Sequence, residues 1–149
     1  MTFTVSTAAL NIIVPTNVSL GSAFEGNSLT SQTGNVSVSD LRAALAATWI
    51  ASVATTAFTT GTGTGPETVQ PGLVNYWSGG AVASSGTGTI VPGQPTAATA
   101  VSLNQPRTAF SKTSGSGDNT VTWNPTLVIT IPSDAVGGLY QGTVTHSVG

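Results

Sequence analysis

From Thr120 to Ile131 the chain alternates: Val121, Trp123, Leu127, Ile129 and Ile131 hold odd positions, and the even positions are polar except Val128. Successive side chains of a strand point to opposite faces, so this period of two marks a half-buried strand. A strand with one apolar face needs a second layer to cover it. Pro125 interrupts the run and lacks the N–H that a central ladder uses, which implies an edge strand or two strands meeting at a bend. Pro132-Ser133-Asp134 opens a turn and Gly137-Gly138 ends the connection. Parity then moves to even numbers, with Tyr140, Val144, His146 and Val148 on one face. The two segments read as an antiparallel hairpin closing the domain, with Trp123, Leu127, Ile129, Ile131, Tyr140 and Val144 in its core.

The same grammar runs upstream in shorter phrases. Thr2 to Val5, Leu10 to Val14 and Val18 to Leu20 read as brief strands, and Val36 and Val38 share a face. Trp49 to Phe58, Val74 to Trp77 and Val101 to Leu103 add further candidates, while residues 60–68 form a Gly-Thr loop and Gly79 to Gly88 a loop or bulged edge. Leu41 to Ala47 has helix propensity without a β-branched residue, and the hydroxyl-rich run beyond Trp49 pulls toward strand. Short strands separated by turn residues predict an all-β fold, an antiparallel β-sandwich of Ig-like or jelly-roll-like type with about seven to nine strands. A chain of 149 residues fits a single domain, 1–149, with 1–14 as an N-terminal strand free to pair in its own sheet or in a neighbour's.

Charge is the scarcest resource here. Three basic and five acidic side chains serve the whole chain, against about a quarter of residues in ordinary domains. A formal charge of −2 with no basic cluster excludes nucleic-acid binding, and no apolar run is long enough for a membrane span. Hydrophobic residues make up 39% of the chain, too many for disorder at so low a net charge. Cysteine is absent, which excludes disulfides and thiolate metal sites. Met1 to Val5 lacks the basic and apolar regions of a signal peptide, so export implies a leader already removed. The composition suits a weakly charged, hydroxyl-surfaced β-protein outside the cell.

Catalytic chemistry has little to draw on. His146 is the only histidine, and it falls on the apolar face of the last strand. No Gly-x-Ser-x-Gly pattern accompanies it, and the five carboxylates are well separated. The expectation is no enzyme activity, no catalytic residue, no metal and no cofactor. Asp40 and Arg42, two apart and in phase with Val36 and Val38, read as a structural pair. Lys112, the only lysine, sits in a Gly/Ser-rich stretch that implies exposure rather than a buried covalent crosslink to Asn. Ser114 to Asn119 holds one carboxylate, a poor cage for calcium. Trp49 and Trp123 read as core. Tyr76 and Trp77, beside Gly79-Gly80, are the candidate glycan-contact aromatics.

An ordered set of segments resembles the WxL-type surface domains of Gram-positive bacteria, in their actinobacterial secreted form. They are Val36 to Arg42, Ala47 to Val53, Phe58 to Gly61, Gly117 to Trp123, Leu127 to Pro132 and Gly138 to Thr145. The resemblance implies a β-sandwich, a location on the cell surface or cell wall, and non-covalent attachment to peptidoglycan. Two departures stand out. At the family's Trp-x-Leu positions this chain has Trp49-Ile50-Ala51 and Thr145-His146-Ser147.

Three functions follow as expectations. The first is a non-enzymatic extracellular envelope protein, with peptidoglycan or a surface polysaccharide as its partner. The second is a homo-oligomer, a fibre subunit built by strand exchange. The third is a secreted carbohydrate-binding or hydrolytic domain.

Overall fold

A computed structural model describes residues 1–149, and its regular structure is entirely antiparallel strand apart from three single 3-10 turns at Gly65–Glu67, Pro71–Leu73 and Ala97–Thr99. In chain order the strands are β1 (Leu10–Ile13), β2 (Ser28–Gln32), β3 (Val36–Asp40), β4 (Trp49–Thr55), β5 (Phe58–Thr59), β6 (Thr68–Val69) and β7 (Val74–Trp77). Then follow β8 (Ala81–Gly86), β9 (Thr89–Pro92), β10 (Val101–Ser102), β11 (Arg107–Ser114), β12 (Asn119–Trp123), β13 (Thr126–Thr130) and β14 (Val144–Val148). Fourteen strands replace the expected seven to nine. The excess arises because long strands bend between sheets and because short pairs such as β5–β6 close loops.

Three sheets of four strands run β1-β3-β12-β8, β10-β7-β13-β2 and β14-β4-β11-β9. The first two are halves of one folded surface. The order β3-β12-β8 in one matches β2-β13-β7 in the other, and each matching pair is consecutive in the chain. All three strand pairs therefore bend along one line, through Thr33-Gly34-Asn35, Asn124-Pro125 and Ser78-Gly79-Gly80. Gly34 (φ 88°) and Gly79 (φ 71°) take the left-handed backbone that side chains disfavour. Across the corner Gly34 N donates to Asn124 Oδ1 at 3.1 Å and Thr33 N to the Pro125 carbonyl at 3.0 Å. Pro125 thus marks a bend between two central strands, not an edge.

The third sheet supplies the other side of the core. Sixteen buried apolar residues form one cluster. Val36, Val38, Val121 and Trp123 come from the first sheet, Val74, Tyr76, Leu127 and Ile129 from the second, and Trp49, Ala51, Val53 and Phe110 from the third. Phe110 and Trp123 stack across it with ring centroids 4.6 Å apart.

Several expectations need correction. β14 pairs with β4, Val144 opposite Thr55, and makes no hairpin with β13. The connection from Ile131 to Thr143 is too long to dictate a partner, and β4 offered a matching apolar face. Ile131, Tyr140 and Val144 are only half-buried. Residues 2–5 and 18–20 form no strand. Residues 79–88, by contrast, hold the expected bulged edge: β8 is fully exposed at a sheet edge, and its register against β12 shifts between Thr122 and Trp123. Leu41 to Ala47 is neither helix nor strand, and Ala43 (φ 49°) and Ala46 (φ 51°) hold left-handed backbone within it.

Candidate functional site

At one end of the core the scarce charges collect. β3 ends at Asp40, opposite Asn119 of β12. Arg42 Nε donates to Asp40 Oδ1 at 2.8 Å and its Nη2 to Oδ2 at 2.9 Å, a two-pronged pair. Asp40 is 1% exposed. The guanidinium hydrogen bond holds its carboxyl at about 2, against the opposing pull of burial. Asn119 Nδ2 reaches Asp40 Oδ2 at 3.4 Å, while Asn119 Oδ1 accepts from the Trp49 indole at 3.1 Å.

Lys112 joins this cluster, against the sequence expectation of an exposed side chain. It is 1% exposed, and its ammonium donates to the carbonyls of Ala47 and, at 2.6 Å, Gly115. Ala43 N donates to Asp118 Oδ1, Ala46 N to Ser116 Oγ, and Gly117 N to the Ala44 carbonyl. Two irregular loops, 41–48 and 115–118, are thereby clamped to each other and to the core. Parity held the missing signal, since Lys112 is in phase with Phe110 and Asn119 with Val121 and Trp123. Residue type argued the other way.

The aromatic pair divides. Tyr76 is 0% exposed and cannot meet a glycan, because alternation in β7 turns it inward with Val74. Trp77 faces outward, half-buried, opposite Thr126 of β13. It alone remains as an aromatic contact.

Tyr76 instead anchors a buried chain. The Trp123 indole donates to its hydroxyl at 3.2 Å, and that hydroxyl lies 3.3 Å from His146 Nε2. Burial raises the phenol's pKa and lowers that of His146 to about 4, so the imidazole is neutral at pH 7. His146 lines a cavity of about 230 Å³, with Val36, Phe58 and Leu127 among its apolar walls. Thr33 lines it too, and its buried Oγ1 has no hydrogen-bond partner. A larger, mainly apolar groove of about 680 Å³ adjoins it, running past Phe24, Ile129 and Leu139.

The outward face of the first sheet carries two registered rows. One reads Asn11, Ser39, Thr120, Ser85; the other Ile13, Ser37, Thr122, Ala83. Ser85 and Thr120 hydroxyls lie 2.6 Å apart and Ser37 and Thr122 hydroxyls 2.7 Å apart. Elsewhere Glu67 organises the Gly-Thr loop. Its carboxylate accepts from the backbone and hydroxyls of Thr64 and Thr62, which hold its pKa down to about 2. No group of three or more His, Asp or Glu converges anywhere in the fold, and no helix is long and apolar enough to cross a membrane. No family model, curated protein or solved structure matches the chain.

Proposed function

We propose that this chain is a non-enzymatic protein of the extracellular envelope, lying against the cell wall or a surface polysaccharide through the outer face of its first sheet. The folded surface and the third sheet are read as the two layers of a β-sandwich of WxL-like type, displayed by a Gram-positive cell. The observation carrying this reading is the registered hydroxyl and amide row Asn11, Ser39, Thr120, Ser85 across β1, β3, β12 and β8, beside a second row in which Ser37 and Thr122 sit between Ile13 and Ala83. Such a face exchanges hydrogen bonds with a hydroxylated polymer and needs no charge to do so. Two of the eight charged side chains, Asp40 and Lys112, are buried, which leaves the surface still poorer in charge. Trp77, outward on the second sheet, offers a stacking surface for a sugar ring.

Co-sedimentation with purified peptidoglycan and with wall polysaccharide tests the reading. Retention should survive high salt, because ion pairs contribute little. Charged substitutions in the hydroxyl rows, Thr122→Glu or Ser85→Glu, should abolish it while the fold is kept. Failure of the wild-type protein to co-sediment with either polymer would refute it.

A second reading, a fibre subunit, rests on the N-terminal arm. Phe3 (91% exposed) and Val5 (67%) alternate with hydroxyl residues in a segment that joins no sheet. A second copy offering an open edge would complete that strand. Concentration-dependent filaments, lost on deletion of residues 1–7, support this reading, and a monomer at all concentrations overturns it.

A further inference from the structure

The cavity between Thr33 and His146 has a definite hydrogen-bonding polarity. An indole N–H only donates, so the Tyr76 oxygen accepts from Trp123. Tyr76 is wholly buried, and its own proton has one acceptor within reach, His146 Nε2 at 3.3 Å. If Nε2 carried the proton, the phenol hydrogen would have no acceptor, a costly arrangement in the core. The neutral imidazole therefore carries its proton on Nδ1. Thr33, 9% exposed, adds a buried hydroxyl with no partner of its own. The two groups line one cavity with no charged side chain in its wall. Pro15 to Val18 and Leu20 line it too, without forming a hydrogen bond of their own.

We infer that this cavity binds the acetamido group of an N-acetylated amino sugar, a proposal that rests on the wall-binding reading and names its ligand class. An acetamido group is planar and uncharged, with one carbonyl acceptor, one N–H donor and a methyl. The carbonyl accepts from His146 Nδ1, the N–H donates to Thr33 Oγ1, and the methyl packs against Val36, Phe58 and Leu127. A free carboxylate or ammonium would enter without a counter-charge and lose its hydration. At about 230 Å³ the cavity lies below the usual range for whole drug-sized ligands, roughly 300–1,000 Å³, so it holds one substituent while the sugar ring stays at the mouth. There Asn17 and Thr143 offer an amide and a hydroxyl to ring oxygens.

The experiment is an NMR titration of the full chain with N-acetylglucosamine, with glucosamine and glucose as controls. Saturable shifts at the Thr33 amide and the His146 ring with N-acetylglucosamine alone are expected. Thr33→Val keeps the side-chain shape and removes a hydroxyl that nothing in the protein uses, so it should fold normally and bind about tenfold more weakly. No shift at these residues, an equal response to glucose, or unchanged affinity in Thr33→Val overturns the inference. Peptidoglycan co-sedimentation on the same samples separates the two claims. Retention on the wall without a response to N-acetylglucosamine sinks the pocket and leaves the wall reading; the reverse pattern sinks the wall reading and leaves the pocket.

Discussion

The Trp49 indole N–H donates to Oδ1 of Asn119 at 3.1 Å, joining the third sheet to the first through a side-chain contact 70 residues apart in sequence. Both residues are 1% exposed, so neither group has water as an alternative. Asn119→Ala strands the indole donor and removes a partner from Asp40. It should cost about 2–4 kcal/mol, read as a lower urea midpoint with an unchanged slope. A loss below about 0.5 kcal/mol would show that the contact is dispensable.

Arg42→Ala leaves the buried Asp40 carboxylate with the Asn119 amide and the backbone N–H of residue 42 as its remaining donors. Because the Arg42 side chain is 34% exposed, the expected cost is about 1–3 kcal/mol at neutral pH, below that of a fully buried pair. The Asp40 pKa is depressed from 3.8 to about 2, so its contribution is present above pH 3.8 and fades as pH falls toward 2. The variant should lose less stability than wild type across that window. Parallel acid limbs in the two proteins would show that the pair is not responsible.

Lys112→Met keeps the buried stem and removes the ammonium that ties Ala47 to Gly115. The removed desolvation cost offsets part of the lost hydrogen bonding, so global stability should fall by about 1–2 kcal/mol. The sharper readout is local. Amide exchange at Ala46 and Gly117, which bridge the two loops, should accelerate more than exchange in β12 or β13. Uniform acceleration throughout the chain would contradict a clamping role.

His146 predicts a second pH effect. Its folded pKa of about 4 lies below the ordinary 6.5, so the unfolded chain binds the proton first as pH falls. Stability contributed by the neutral ring is present above pH 6.5 and is lost progressively toward pH 4, by at most about 3 kcal/mol. His146→Phe should flatten the stability profile between pH 6.5 and 4 relative to wild type. An unchanged slope there would refute the assignment.

Gly34→Ala tests the corner. Its φ of 88° is unfavourable for any side chain, and an added Cβ would stand 3.0 Å from Pro15 Cγ. A cost of about 1–2 kcal/mol is expected from backbone strain. Thermal denaturation reads it, and an unchanged Tm would show that the bend tolerates a Cβ.

Much of the inner face was legible as alternation. Val36 and Val38, and Val121 and Trp123, point inward as their spacing requires, because a strand's side-chain period is local geometry; Tyr76, expected as a glycan contact, follows the same period inward with Val74. At Pro125 an interruption was legible, since a missing N–H is a property of one residue, and the fold selected the bend over the edge strand. Pairing was not. Nothing local distinguishes β4 from β13 as a partner for β14, and that choice depends on which apolar faces meet once the sheet has folded at its corner.

The candidate sites divide along the same line. Local pattern was enough for an all-β chain, nearly uncharged, with inward and outward positions marked along its clearest strands. Folding supplied the rest: the carbonyls of Ala47 and Gly115 that receive the Lys112 ammonium, and the cavity that Thr33 and His146 share. Alternation is set by neighbouring peptide units, whereas desolvation and hydrogen-bond satisfaction depend on atoms brought from distant parts of the chain.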